Sequence, residues 1–250
     1  MPENLLVSAS YDQTIKIWNI ADGRMEATIQ HNEGQVNALS LTTNGRDLAL
    51  GAWQKVRIYD VSMSKDPKAT IDLPKNVTVV GFEISGRWMY TGGDDGACRI
   101  WEMRSNQLVA NRTLSTRQID AAQNNRYDNI IQNDKWYGTL INKDNEDCRL
   151  NNGYGLSCRY SSDGSHIVAS SSGPDIHVFN AETLRQVATL RTDCEWNWDA
   201  IFSPDGKHIF SGGSDAKIKV WETATASRVT HYEGHVKPIT AMCINNPPPN

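Results

Sequence analysis

The sequence predicts an all-β fold made by repeating one four-stranded unit, and two observations predict it. The first is a recurring pattern. "SASYDQTIKIWNI" (Ser8 to Ile20), "TGGDDGACRIWEM" (Thr91 to Met103) and "SGGSDAKIKVWET" (Ser211 to Thr223) share one plan. The small-residue end of a strand meets a turn containing Asp, and an alternating strand then closes on Trp plus a polar or acidic residue. The second is period-two alternation. In "TIKIWNI", Ile15 and Ile17 face one way while Lys16 and Trp18 face the other. The turn signals "TNGRD", "SGRW", "SDGS" and "SPDG" separate such strands.

The spacing of the units defines the architecture. The aromatic anchors Trp18, Tyr59, Trp101, Phe179 and Trp221 are separated by 41, 42, 78 and 42 residues. A period of about 40–45 residues with this ending is the signature of WD-repeat β-propeller blades. The gap of 78 holds a worn unit. Within "IIQNDKWYGTLINKDN", Lys143-Asp144 replaces Trp-Asp, Gly138 precedes the strand, and Leu140 alternates with Asn142. Residues 106–152 are therefore expected to form a degenerate fourth blade. That makes six blades in a single domain spanning 1–250, with 246–250 ("NPPPN") a disordered tail.

The two ends explain each other. "LLVSAS" at the start reads as the second strand of a blade, and "PITAMCIN" near the end reads as an innermost strand. The C-terminal strand is thus expected to pair with the N-terminal blade, closing the ring and covering an open sheet edge.

Composition removes other classes. Twenty-five Lys+Arg against 29 Asp+Glu leave a net charge of −4, too balanced for a nucleic-acid or polybasic membrane surface. Eight Trp and eight Tyr against four Phe suit a β-rich chain with polar-tipped aromatics at its rims. The five cysteines (Cys98, Cys148, Cys158, Cys194 and Cys243) are odd in number and form no Cys-x-x-Cys pair. Neither a disulfide framework nor a zinc ribbon is suggested, and a reducing, cytoplasmic location is expected. "MPENLLVSAS" lacks the basic and apolar regions of a signal peptide, and no apolar run is long enough to span a bilayer.

Residues that look chemical read as structural. Asp12, Asp95 and Asp215 each precede a Trp by six residues, so they belong to separate blades and each is expected to tie its own turn. In the first blade, His235, Ser8 or Ser10, Asp12 and Trp18 are expected to complete a buried polar network that fixes the C-terminus to the N-terminus. Trp53, Tyr137 and Gly173 stand at the Asp position of the second, fourth and fifth units, which packing must hold. "TGGDDG" and "SGGSD" lack the Lys of a P-loop and lead into strands, so they read as turns. No Gly-x-Ser-x-Gly or His-Glu-x-x-His occurs, and the six His lack metal-ligand spacing. No catalytic residue, cofactor or metal is expected.

"CEWNWDAIF" (Cys194 to Phe202) differs, because Trp196 and Trp198 flank Asn197 just ahead of an inner strand. This placement predicts a position on the ring's narrow rim, where Trp suits a binding hot spot. Gln35, Asn76, Tyr154 and Lys237 hold comparable positions in other units and would extend a polar-aromatic collar.

"GRWMYTGGDDGACRIWEMRS" closely resembles the third blade of the WD-repeat subunit of target-of-rapamycin (TOR) kinase complexes, the G-protein β-subunit-like family. "SASYDQTIKIWNIADG", "QHNEGQVNALSLT", "WQKVRIYDV" and "EWNWDAIFSPDGKHIFSGGSDAKIKVWET" extend the resemblance. It covers roughly Leu5 to Ser105 and Gly153 to Asn245. It implies a non-enzymatic subunit that binds and stabilises the TOR kinase domain in both TOR complexes, supporting nutrient and growth signalling. It also implies kinase contact through Gln35, Trp196 and Trp198. The family ring has seven blades, whereas this chain passes from Asp144 almost directly to "GYGLSCRYSSDG", text like the family's sixth blade. A six-bladed ring and a chain shortened by one blade both fit. The alternative function is another WD-repeat adaptor, either a ubiquitin-ligase substrate receptor or a G-protein β-like scaffold. The expected partners are protein: TOR kinase and other complex subunits, with no nucleic acid, membrane insertion or small-molecule substrate.

Overall fold

The computed structural model describes residues 5–32, 34–61, 66–82, 86–95, 97–105, 107–113, 139–141, 147–149, 155–183 and 185–245. Every regular element among them is a strand, and every pairing given for them is antiparallel. The chain divides into two compact units, Met1–Ser115 with Thr240–Asn250, and Thr116–Ile239.

The first unit holds three four-stranded sheets. One comprises β1 (Leu5–Ser10), β2 (Thr14–Asn19) and β3 (Met25–Gln30), with β22 (Ile239–Ile244) completing the order β22-β1-β2-β3. The chain's last strand thus lies beside its first, in the pairing that the two sequence ends suggest. Asn245 fastens it, since its N–H donates to the Leu5 carbonyl (3.1 Å) and its Oδ1 accepts the Leu5 N–H (2.7 Å). The second sheet is β4 (Val36–Leu41), β5 (Asp47–Ala52), β6 (Lys55–Asp60) and β7 (Ala69–Asp72). The third is β8 (Val77–Phe82), β9 (Trp88–Gly93), β10 (Ala97–Glu102) and β11 (Gln107–Thr113). Strands of neighbouring sheets bring their apolar faces together: Val7, Ile15, Leu39, Leu50 and Ala241 share one core, and Val56, Val80, Met89 and Trp101 another. The period-two pattern explains why these residues gather, because alternate side chains of a strand leave on one face.

The second unit holds two four-stranded sheets. One is β14 (Gly155–Tyr160), β15 (His166–Ser171), β16 (Asp175–Asn180) and β17 (Gln186–Arg191). The other is β18 (Asn197–Phe202), β19 (His208–Gly213), β20 (Ile218–Glu222) and β21 (Arg228–Tyr232). Val168, Ile176, Ala200, Phe202, Ile209 and Trp221 pack in its core. Within residues 106–152, the text of the worn fourth unit, β12 (Thr139–Ile141) pairs with β13 (Asp147–Arg149). Tyr137, Gly138, Lys143, Asp144, Tyr154 and the tail 246–250 lie outside the described residues.

The five aromatic anchors are all buried, at 7% exposure or less. Where the anchor is Trp, its indole N–H donates diagonally to a hydroxyl on the neighbouring strand: Trp18 to Ser8 (2.8 Å), Trp101 to Thr91 (3.0 Å) and Trp221 to Ser211 (2.9 Å). Where the anchor carries no indole, strand register puts an apolar residue at that place: Leu50 for Tyr59 and Ala169 for Phe179. A buried indole N–H needs an acceptor, whereas the Phe179 ring has no donor and is served by hydrocarbon; the buried Tyr59 hydroxyl has no hydrogen-bond partner among the described residues.

Candidate functional site: two strand-start surfaces

In the second unit, Trp196 immediately precedes β18, and Trp198 lies inside it. The β18–β19 register shifts between Asn197 and Asp199, so Trp198 occupies a bulge. Bulges re-aim side chains, and here the two indoles stack with centroids 5.2 Å apart and planes 29° from parallel. Trp196 is 39% exposed, and Trp198 is half-buried.

Three sets of contacts brace this pair from below. Asn197, buried between the indoles in sequence, donates from Nδ2 to the Gly173 carbonyl (2.7 Å) and accepts the Thr192 hydroxyl (3.0 Å). Buried Asp199 receives Arg159 through two nitrogens (3.2 and 3.1 Å), the Ser157 hydroxyl and the Ala200 N–H. The Trp196 carbonyl accepts the Ser214 N–H (3.0 Å) and the Cys194 thiol (3.0 Å). An indole held at both backbone neighbours loses little entropy on docking, which favours tight association.

In the first unit, Gln35 sits just before β4 and Asn76 just before β8. Gln35 is half-buried, and its Oε1 accepts the hydroxyl of Tyr11, itself 37% exposed (3.0 Å). Partial burial raises the Tyr11 phenol above its ordinary 10.0. Asn76 is tied to the preceding sheet, since Asn37 Nδ2 donates to Asn76 Oδ1 (2.7 Å) and to the Val77 carbonyl (3.0 Å). Trp53, at the β5–β6 turn, is 62% exposed. In the second unit, Lys237 is exposed and His235 buried in the segment before β22.

The three aspartates make different contacts, and those of Asp95 and Asp215 reach the strand that follows the turn. Asp12 accepts the Thr14 N–H (2.9 Å) and hydroxyl; Asp95 pairs with Arg99 (2.6 Å); Asp215 pairs with Lys219 (2.6 Å). The basic partner four residues on is a feature that reading the turn alone misses. Tyr11, Asn37, Arg159 and Asp199 are likewise absent from the sequence-based candidates. A signal existed for two of them: Asn37 in "VNAL" and Asp199 in "WDAIF" interrupt otherwise apolar inner strands. A polar group there must find a partner, and both find it on an adjacent sheet.

The WD domain, G-beta repeat family matches residues 2–19, 66–102 and 187–222. The chain is 29% identical to the target of rapamycin complex subunit LST8 of Rattus norvegicus, over 90% of this chain and 74% of that protein. It is 28% identical to the target of rapamycin complex subunit wat1 of Schizosaccharomyces pombe, over 89% and 76%. Against the target of rapamycin complex subunit LST8-1 of Arabidopsis thaliana, identity reaches 40% over 106 residues, 42% of this chain and 35% of that protein. The repeat matches thus fall in both units, and the similarity to target of rapamycin complex subunits runs along nine-tenths of the chain.

Proposed function

We propose that this protein is a non-catalytic subunit that binds the TOR kinase domain and stabilises it within TOR complexes, in the cytoplasm. The observation that carries the reading is the braced Trp196–Trp198 stack, with Trp196 open to solvent at the start of β18. Trp is the residue most enriched among binding hot spots, and its fixed backbone limits the ordering cost. Support comes also from homologues whose names make them TOR complex subunits. Gln35, held by Tyr11, and Asn76, held by Asn37, supply polar contacts from the first unit. Lys237 and Tyr154 are further contact residues of the same proposal. The mechanism is linkage: a partner that binds only the ordered kinase domain shifts the domain toward that state by mass action.

The test is co-purification of TOR kinase with Trp196→Ala/Trp198→Ala, after thermal unfolding shows the variant folded. Kinase recovery is expected to fall at least about tenfold, the loss of a hot-spot pair. Undiminished recovery removes the pair from the interface. Mass spectrometry of proteins captured by the wild-type chain decides between TOR kinase and another adaptor's partner.

A further inference from the structure

The outer half of the last sheet carries a charged cleft outside the surfaces described above. Lys217, Lys219, Arg228 and His231 line it together with Asp193 and Asp215, enclosing about 240 Å³. Its origin is a departure from the chain's own repeat. In the other four-stranded sheets, a basic residue of the third strand, buried or half-buried, faces an uncharged residue across the ladder. Lys16 lies opposite Thr28, Arg57 opposite Thr70, Arg99 opposite Asn111 and His177 opposite Thr189. In the last sheet alone among these five, Lys219 lies opposite a second basic residue, His231. Side-by-side basic groups on one sheet face repel when both are charged, and an anion between them removes the penalty.

The acids present do not close the cleft. At its floor, Lys219 is 5% exposed and pairs with Asp215. At its rim, Arg228 pairs with Asp193 (3.4 Å), whose side chain is 85% exposed. Lys217 and His231 share Glu233, 63% exposed, at 2.7 and 3.0 Å. Exposed pairs of this kind contribute little and exchange readily for a stronger partner. A phosphomonoester is such a partner: it brings close to two negative charges and three acceptor oxygens, and Arg228 offers a guanidinium fork. β21 stands at the sheet's edge in the order β18-β19-β20-β21, with Arg228, Val229, Thr230 and His231 exposed. An extended peptide can lie along such an edge.

We propose that this cleft binds a phosphoserine or phosphothreonine side chain of a partner polypeptide. Arg228, Lys217 and His231 contact the phosphate as Asp193 and Glu233 swing away, and Lys219 holds the floor. The site is independent of the kinase-binding reading.

The experiment titrates the full chain with a short blocked alanine peptide carrying one phosphoserine. The same peptide with serine and inorganic phosphate are the comparison arms, all near physiological salt of about 0.15 M. Binding is followed by the His231 ring proton signals. The phosphopeptide is expected to bind at least about tenfold more tightly than the serine peptide, as a charge-assisted contact should. Lys217→Ala/Arg228→Ala, changes confined to exposed side chains, is expected to remove that advantage while leaving thermal unfolding unchanged. Equal binding of the two peptides, no binding of either, or a phosphopeptide affinity untouched by the double substitution overturns the proposal. Inorganic phosphate binding as tightly as the phosphopeptide overturns the peptide assignment and leaves an anion site only.

Discussion

Gly213 packs directly beneath the Trp196 backbone. A Cβ at Gly213 would lie 2.3 Å from the Trp196 carbonyl oxygen, and the adjacent Ser214 N–H donates to that same oxygen. The first unit repeats the arrangement at Gly93, where a Cβ would meet the Asn76 carbonyl at 2.2 Å and Asp94 N–H is the donor. The paired glycines of "TGGDDG" and "SGGSD" thus have a common purpose. They let the loop before an inner strand lie against the end of the second strand, which sets the residue presented there.

Gly213→Ala is therefore expected to displace the Trp196 backbone, because the added Cβ would meet its carbonyl oxygen at 2.3 Å and the buried Cys194 Sγ at 2.6 Å. The expected cost is about 2–3 kcal/mol from overpacking, read by urea unfolding. The Trp196 emission maximum should shift as the stack opens. An unchanged emission spectrum with wild-type stability contradicts the account.

The Trp221–Ser211 bond predicts a specific non-additivity. Ser211→Ala leaves a buried indole N–H without its acceptor and should cost about 1–2 kcal/mol. In a Trp221→Phe background the same change should cost almost nothing, since Phe179 with Ala169 is the combination β15 and β16 already use. A double-mutant cycle by denaturant unfolding should give a coupling of about 1 kcal/mol.

Arg159→Ala strips the guanidinium from Asp199, whose side chain is only 4% exposed. An uncompensated buried charge costs about 3 kcal/mol when one partner of a pair is removed. Asp199 keeps Ser157 and the Ala200 N–H, so the variant should still fold. Arg159→Ala/Asp199→Asn should recover most of the loss, measured by thermal unfolding.

Asp163 supplies a pH dependence of known sign. The Ser161 hydroxyl, then the Ser165 N–H and hydroxyl, hold its carboxyl down at about 2 against an ordinary 3.8. Its folded pKa is depressed, so its contribution is complete above 3.8 and is lost as pH falls through about 2. A carboxyl-carbon NMR titration should show the low midpoint, and Ser161→Ala should move it upward.

Much of the fold was legible because its signals are local and periodic. Trp18, Trp101 and Trp221 mark their strands by spacing alone, and "LLVSAS" and "PITAMCIN" complement each other without reference to the intervening text. The candidate surface was legible only in part. Trp196 and Trp198 stand out in the sequence as a pair, but their stacking depends on the bulge opposite Gly213 and Gly212. Asn37 with Asn76 and Arg159 with Asp199 lie about 40 residues apart, joined only where one sheet meets the next.

By itself, the sequence determined the strand pattern, the repeating unit and the pairing of its two ends. Alternation and turn chemistry are properties of neighbouring residues, and a repeat multiplies their signal. Tertiary structure alone decided that the paired glycines seat Trp196 and Asn76, and that Lys219 meets His231. Those contacts arise where strands distant in sequence come within van der Waals or hydrogen-bond reach, and register, not composition, selects which side chains meet there.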